Sequence, residues 1–531
     1  MGLSSGLLHR LLLSLATILL LFALVVYITY LVNLLHFPFD YDQGEGFELL
    51  DTILFSQFQT PYRNTEVYPF YASNYPPLYH ILAAPFVWFF GEAYWYGRLL
   101  SFLSTLVTAS AIAYAVHRET QHRWIAVLSG LAFLSSNMIY HSGALFRQHI
   151  SMVMFETLAI VILAYAFPSQ HRRPIALGLL LLIAAGYTKQ LAAITAIAVI
   201  IWLLLRNPRR GMLWTMGFAV SGGAIFGLLY LVTAGEWWRQ AIVANVGGIN
   251  PLQVFGLFLL WMRLHGFLLI PAVLLVLYEL YVDRLSLYSV WFIIAALLGG
   301  IGSGAWGGGD SYFATSIAAL CILSGIFVGR TLQHQWQIPQ NHVFLRRMPI
   351  HIGRMLRRLP IFLIGMPALY IGYGLATFKM PTHGIVYEQL ATLLNIQPNV
   401  RGEFYDSATY ATPGYANIGY LTTQADIEAG YAIVELIKNT AAPVLSEDAG
   451  FLFAAGRDII TNPTQLLNLW RAGQWQGDAL IGMIERREFG LIILRAQFFP
   501  TPVLEAIGQH YERTDPIVMN HFEYLILRPK D

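Results

Sequence analysis

Apolar runs of about 16–25 residues recur along most of the chain, the length that crosses a hydrocarbon layer of roughly 30 Å as a helix. About eleven such runs can be marked, at Leu11–Leu35, Tyr96–Val116, Trp124–Tyr140, Ile150–Phe167, Ile175–Tyr187, Leu191–Leu205, Met212–Val232, Val254–Leu280, Leu287–Ile301, Ser311–Val328 and Ile361–Phe378. Charged residues make up 12% of the chain, where a soluble domain carries roughly 25%. A larger soluble core does not explain that deficit, because single cores stop growing near about 250–300 residues. The first run follows His9 and Arg10, is too long for the apolar part of a signal peptide, and ends in no small-x-small cleavage site. It therefore reads as a retained span. The segment Asn74–Phe90 is too short to span comfortably and reads as a helix lying at the interface.

Charge orients the stack. Alternate loops carry Arg10, then Arg118 and Arg123, Arg172 and Arg173, Arg206, Arg209 and Arg210, Arg284, and finally Arg330, Arg346, Arg347, Arg354, Arg357 and Arg358. The opposite loops hold only the scattered cations Arg63, Arg98, Arg147, Lys189 and Arg239. The positive-inside rule places the first set in the cytoplasm. The expectation is an all-α polytopic membrane bundle over residues 1–380, with a cytoplasmic N-terminus and a first outer loop at 36–95. Residues 381–531 have ordinary soluble composition. Short strands at Val444–Leu445, Leu491–Leu494 and Tyr524–Leu527 alternate with helical stretches at Gln465–Arg471 and Ala479–Arg487, the pattern of an extracytoplasmic α/β domain.

Several function classes fall away. A net charge of +2 gives no electrostatic footprint for nucleic acid. The single cysteine, Cys321, excludes an internal disulfide and a cysteine-based metal site. H-E-x-x-H, G-x-S-x-G and Walker A sequences are absent. Gly302–Gly307 matches G-x-G-x-x-G formally, but no βαβ unit surrounds it. No cofactor is indicated, and the motifs do not support a divalent metal.

Charge near a bilayer needs a reason, so the polar residues gathered on the outer side are the candidate site. Four carboxylates, Asp40, Asp42, Glu45 and Glu48, fall within nine residues just past the first span. A base that takes a proton from a hydroxyl needs such a carboxylate in a partly dry cleft. Gly44 and Gly46 flank Glu45 and allow close approach of the backbone. A solvated acidic loop would carry the same spacing. Next comes Asn74-Tyr75-Pro76-Pro77-Leu78-Tyr79-His80, where the prolines set an extended entry to a helix. Arg147-Gln148-His149 and Thr188-Lys189-Gln190 sit at outer ends of spans, where Arg147 and Lys189 suit a phosphate, one as a planar fork and one as a point charge. Snorkelling to the interface is the alternative for both cations. Asp310 and Tyr312 open the tenth span after a glycine run and are candidate substrate contacts.

An acidic motif directly after the first span, a Pro-Pro-Leu segment, a long bundle and an outer soluble domain together resemble the GT-C superfamily of glycosyltransferases. The nearest likeness is to the branch of protein O-mannosyltransferases, the aminoarabinose transferase of lipid A and the RgtA/B/C/D-like enzymes. Val444-Leu445-Ser446-Glu447-Asp448 with Gly450 is similar to the outer domains of bacterial members. The resemblance implies an inverting transfer of a sugar from a polyprenyl-phosphate donor to an acceptor hydroxyl on lipid, polysaccharide or protein, at the outer face of a plasma membrane. Glu45 then matches the family acid pair, with glycine where many relatives have Asp, which leaves Glu45 and Asp42 both open as the base. Arg147 matches an arginine near a second acidic motif, with His149 in the place of the acid. Lys189 and Gln190 resemble a Lys-Gln pair beside the donor phosphate, and Tyr79 falls among the substrate-binding positions.

The competing reading is a polytopic lipid or solute transporter or flippase, which would favour internal repeats and ionisable groups near the bilayer midplane. Arg263, inside a predicted span, points that way. The crowding of polar groups at the outer ends points to the transferase.

Overall fold

The computed structural model describes residues 3–169, 171–336, 365–382, 384–396 and 420–531. Helix α1 (Leu3–His36) is apolar all round, with no acidic residue in its first turn. It buries Leu20, Val26, Tyr27, Tyr30 and Leu34 against the bundle while Leu11, Ile18, Val25 and Val32 stay exposed. A two-sided apolar helix of this kind belongs in lipid, where the backbone must satisfy its own hydrogen bonds. Among the described residues, six helices are long and apolar enough to cross a membrane: Gly6–His36, Trp95–Thr120, His149–Ser169, Pro208–Val232, Pro251–Tyr281 and Asp310–Leu332.

The other predicted spans are occupied by shorter helices. Arg172–Thr188 has 17 residues, and Gln190–Arg206 is also short. The predicted span at Trp124–Tyr140 is broken: its helix ends at Leu134 and restarts at Asn137, with Ser136 extended at ψ 144°. Leu287–Gly302 carries a π-type turn at Ala295–Gly299. For the last predicted span the description begins at Gly365, and its helix covers Met366–Thr377. Residues 361–364 and Arg346, Arg347, Arg354, Arg357 and Arg358 lie outside the described residues.

At one end of the bundle the arginine-bearing connections meet, with Arg330 paired to Glu119 at 3.1 Å and Arg206 donating to the Leu285 carbonyl at 2.5 Å. At the other end the first loop folds into two further helices, α2 (Glu45–Ser56) and α3 (Leu78–Phe90). The C-terminal domain caps that end. Its strands are β1 (Val444–Ser446), β2 (Leu491–Leu494), β3 (Tyr511–Arg513), β4 (Ile517–Met519) and β5 (Phe522–Pro529). They form one sheet in the order β1-β2-β5-β3, with β4 also on β5. β1 and β2 are parallel, joined through three helices that end with Asp478–Glu485, while β5 is antiparallel to β2, β3 and β4.

The domain is fastened to the first loop by hydrogen bonds to main-chain groups. Gly450 N donates to Asp40 Oδ2 at 2.6 Å, Gln43 Nε2 to the Glu447 carbonyl at 3.1 Å, Arg495 Nη2 to the Tyr41 carbonyl at 3.2 Å and Trp475 Nε1 to the Thr65 carbonyl at 2.9 Å. Arg239, in the π-type turn Trp238–Ile242, donates to the Gln474 carbonyl at 2.6 Å. The first loop is thus held between bundle and cap.

Candidate active site

The acidic segment is a tightly wound helix start. Asp40 accepts from Gly46 N at 2.5 Å, Gly450 N at 2.6 Å and the Tyr94 hydroxyl at 3.0 Å, so α2 begins against the C-terminal domain. The two glycines are required by contact. A Cβ on Gly46 would strike Asp40 and Ala449, and one on Gly44 would overlap the guanidinium of Arg147. Gly44→Ala is accordingly expected to displace Arg147 and lower turnover by about 10²-fold, the effect of a misplacement of roughly 1 Å at a reacting centre. Melting temperature and initial rate, measured on one preparation, separate this from unfolding.

Glu45 is enclosed by protein donors and is not among the residues that line the neighbouring cavity. Its side chain is fully buried, with Arg98 Nε donating to Oε1 at 3.0 Å and Nη2 to Oε2 at 2.8 Å. Tyr41 N at 3.0 Å and Phe146 N at 2.7 Å occupy the remaining positions. Four donors leave this carboxylate no lone pair for an acceptor hydroxyl. Arg98 in turn donates to the carbonyls of Leu34, Phe37 at 2.7 Å and Phe39 at 2.9 Å, tying the end of α1 to α2. The Arg98–Glu45 pair thus ties the start of α2 to the end of α1.

Beside it lies a cavity of about 450 Å³, lined by Asp42, Glu48, Arg147, His149, Lys189 and Gln190, with Asp310 and Tyr312 on its wall. Seven of the nine residues singled out in the sequence meet there; Glu45 and Tyr79 do not. Tyr79 packs edge-on to Phe146 at 5.8 Å and gives its hydroxyl to the Gly97 carbonyl at 3.1 Å. Tyr75, from the same segment, faces the cavity instead, because α3 starts only at Leu78 and turns Tyr79 inward.

Asp42 is 3% exposed. Its Oδ2 accepts from Arg147 Nε at 2.5 Å, while Oδ1 has no hydrogen-bond partner among the described residues. Arg147 Nη1 reaches Glu48 Oε1 at 3.2 Å, so one guanidinium bridges two carboxylates. Lys189 Nζ is 2.9 Å from His149 Nδ1 and 4.9 Å from the centre of the Tyr75 ring. Asp310 Oδ2 accepts from Asn137 Nδ2 at 3.4 Å.

Sequence reasoning gave no role to Asp51, which also lines the cavity, or to His80, which touches both Glu48 and Asp51. His80 Nε2 is 3.3 Å from Glu48 Oε2 and 3.8 Å from Asp51 Oδ2. Asp51 also accepts from the Tyr71 hydroxyl at 2.8 Å and Ser73 Oγ at 2.5 Å. The spacing of Glu48 and Asp51 on one helix was the available signal. Among the described residues, no group of three or more His, Cys, Asp or Glu side chains is arranged to hold a metal ion.

Burial governs the protonation states. It pushes the Glu48 carboxyl up to about 8, against the pull of Arg147. It raises Asp51 to about 7 and holds the His80 ring neutral, down to about 3. Burial, with Arg147 adding to it, lowers Lys189 to about 7. The site thus contains several groups that gain or lose a proton near neutrality, the usual signature of a functional cleft. An incoming anion would favour protonated Lys189 and protonated Glu48 together, releasing the Arg147 fork from one of its two carboxylates.

Residues 74–238 match the family described as dolichyl-phosphate-mannose-protein mannosyltransferase, less than a third of the chain. No curated protein matches the sequence significantly. Among solved structures, ArnT from Cupriavidus metallidurans in the apo state superposes with a TM-score of 0.55 at 15% identity, over 96% of this chain and 97% of ArnT. ArnT bound to undecaprenyl phosphate gives a TM-score of 0.54 at 14% identity over the same shares, 96% and 97%. The chain shares the fold of ArnT over 96% of its length, and its long apolar helices make it a multi-pass membrane protein.

Proposed function

We propose that this GT-C-fold membrane protein is an inverting glycosyltransferase that moves a sugar from a polyprenyl-phosphate donor to an acceptor hydroxyl at the outer face of the plasma membrane. The observation that carries the reading is the Asp42 oxygen without a hydrogen-bond partner among the described residues, in a cavity that also holds Arg147 and Lys189. The acceptor O–H gives its proton to Asp42 as the new bond to the anomeric carbon forms. The bond from that carbon to the phosphate oxygen breaks, and polyprenyl phosphate leaves as an anion. Its charge grows in the transition state, so Arg147 and Lys189 act there more than in the ground state. The ArnT structure containing undecaprenyl phosphate supports a lipid phosphate as the donor's carrier.

The arginine-poor loops and the C-terminal domain share the cavity end of the bundle, which supports an extracytoplasmic site under the positive-inside rule. The transporter reading gains little. Arg263 is exposed and is not buried inside the bundle. Glu156 is buried inside the bundle but pinned by the hydroxyls of Thr195 at 2.6 Å and Thr315 at 2.7 Å.

The test is a screen of the protein, reconstituted in lipid nanodiscs, against a panel of polyprenyl-phosphate sugars. Sugar transfer with release of polyprenyl phosphate supports the reading; transbilayer movement of the lipid without bond cleavage refutes it.

Donor affinity should also depend on pH. A phosphodiester donor carries one charge throughout the neutral range, so the titration belongs to the protein. Lys189 is lowered to about 7 in the empty site, and bound phosphate raises it again. Affinity is then flat below about pH 7 and falls above it, by up to about tenfold per pH unit. Glu48, at about 8, ionises over the same range and pushes in the same direction. Binding titrations from pH 6 to 9 check this, and an affinity that rises with pH would contradict it.

A further inference from the structure

Next to Lys189 the cavity wall changes character, from charged groups to side-chain amides. Gln190 Nε2 donates to the Ala241 carbonyl at 3.1 Å, and Asn245 Nδ2 donates to the same carbonyl at 3.0 Å and to the Asn74 carbonyl at 3.3 Å. From the C-terminal domain, Asn468 Nδ2 donates to Asn245 Oδ1 at 3.5 Å and to Gln465 Oε1 at 3.0 Å. Gln190, Asn245 and Asn468 are thus linked side by side, Asn74 adjoins them through its main-chain carbonyl, and all four residues, from the first loop, two inter-helix connections and the cap, line the cavity. The NH₂ groups of Gln190, Asn245 and Asn468 are turned into protein acceptors.

What remains is a pair of acceptors. Asn74 Oδ1 and Gln190 Oε1 are buried and have no hydrogen-bond partner among the described residues. Leaving a buried acceptor unmet is unfavourable, so each oxygen favours a ligand that donates. A hydroxyl donates; a carboxylate or phosphate only accepts and would be repelled. Asn74 and Gln190 adjoin Tyr75 and Lys189 in sequence, and Lys189 Nζ lies 4.9 Å from the Tyr75 ring centre. A group bonded to a phosphate at Lys189 thus arrives directly at the amides. On the same cavity wall, Trp306 is held by Arg471 at 4.4 Å from its ring centre and by Phe498 at 6.1 Å, a rigid apolar surface.

We infer that this amide patch is the subsite for the donor's sugar ring, that it reads the ring through hydroxyl donors, and that the C-terminal domain completes it through Asn468. The inference rests on the transferase reading above and deepens it. Specificity then lies in part outside the membrane bundle, and the ring presents hydroxyls, not an anionic substituent, to Asn74 and Gln190.

The experiment measures binding of three probes to the full-length protein: bare undecaprenyl phosphate, an undecaprenyl-phosphate hexose that is a donor for the enzyme, and its uronic acid counterpart. Asn74→Ala and Asn468→Ala are compared with the wild type. Each variant should bind the bare lipid phosphate within about twofold of wild type and the hexose donor roughly tenfold more weakly, the scale of one lost hydrogen bond to a ligand. The wild type should bind the uronic acid donor more weakly than the hexose, an arm that needs no variant. Equal losses for the bare lipid and the hexose donor, an unchanged hexose affinity in both variants, or a preference for the uronic acid would each overturn the inference. Those failures leave the transferase reading standing as long as the wild type binds bare undecaprenyl phosphate and transfers the hexose. Failure of the wild type to do either removes both.

Discussion

Asp42→Asn is expected to slow sugar transfer by about 10²–10⁴-fold, the range a positioned general base contributes, while donor affinity stays near that of the wild type. Asparagine keeps a side-chain oxygen for Arg147 Nε, so the pairing seen at 2.5 Å has a substitute and the cation stays in place. What is lost is the capacity to take a proton. Two other carboxyls stand nearby, Glu48 raised to about 8 and Asp51 to about 7 by burial. Geometry decides against them. Glu48 meets Arg147 at 3.2 Å and His80 at 3.3 Å, and both oxygens of Asp51 accept hydroxyl groups. A base must first reach its proton, and only then does its basicity matter. Single-turnover rates and equilibrium donor binding, measured side by side, check the prediction. A rate within a few fold of wild type would take the base role away from Asp42.

The second large effect is on stability. Arg98→Met should cost roughly 3–5 kcal/mol, because it strands a carboxylate in a fully buried site. Arg98 and Glu45 are both 0% exposed and joined at 2.8 Å, and Arg98 additionally holds the last carbonyls of α1. Removing it frees the end of α1 and the start of α2 together. Glu45→Gln should also lower the melting temperature, since it leaves the guanidinium with a neutral partner. The double variant should lose less than the sum of the two, the mark of residues acting as one unit. Thermal unfolding in nanodiscs reads all three. If Glu45→Gln keeps the wild-type melting temperature yet loses transfer by about 10³-fold, Glu45 is the base and the assignment to Asp42 is wrong.

Much of this was legible in the chain, and the parts that were not share a cause. The six long spans follow from length and apolarity alone, which act locally. The break at Ser135–Ser136 did not show, because two serines inside an apolar run carry no strong stop signal. Strands β1 and β2 and the core of β5 stood out by their apolar runs, whereas β3 and β4 are three residues each and half exposed. At the site, composition found the carboxylates and the cations but could not pair them. Arg98 lies 53 positions from Glu45 and was grouped with the other outer-loop cations. Once that pair is seen, the glycine-flanked acid is held by four donors, whereas buried Asp42 keeps one oxygen without a hydrogen-bond partner among the described residues, the difference on which its proposed base role rests. Tyr79 and Tyr75 exchanged roles for a similar reason: the helix start at Leu78 fixes which ring turns inward. The amide patch was invisible because its members come from positions 74, 190, 245 and 468.

The most direct measurement follows both products of a single transfer by the wild-type protein, the freed lipid and the anomeric configuration of the glycosylated acceptor. Polyprenyl phosphate should appear one for one with transferred sugar, and the configuration should be inverted. Transfer with retained configuration, or no liberation of polyprenyl phosphate from any donor tried, would contradict a reaction in which Asp42 deprotonates the acceptor while Arg147 and Lys189 receive the departing phosphate.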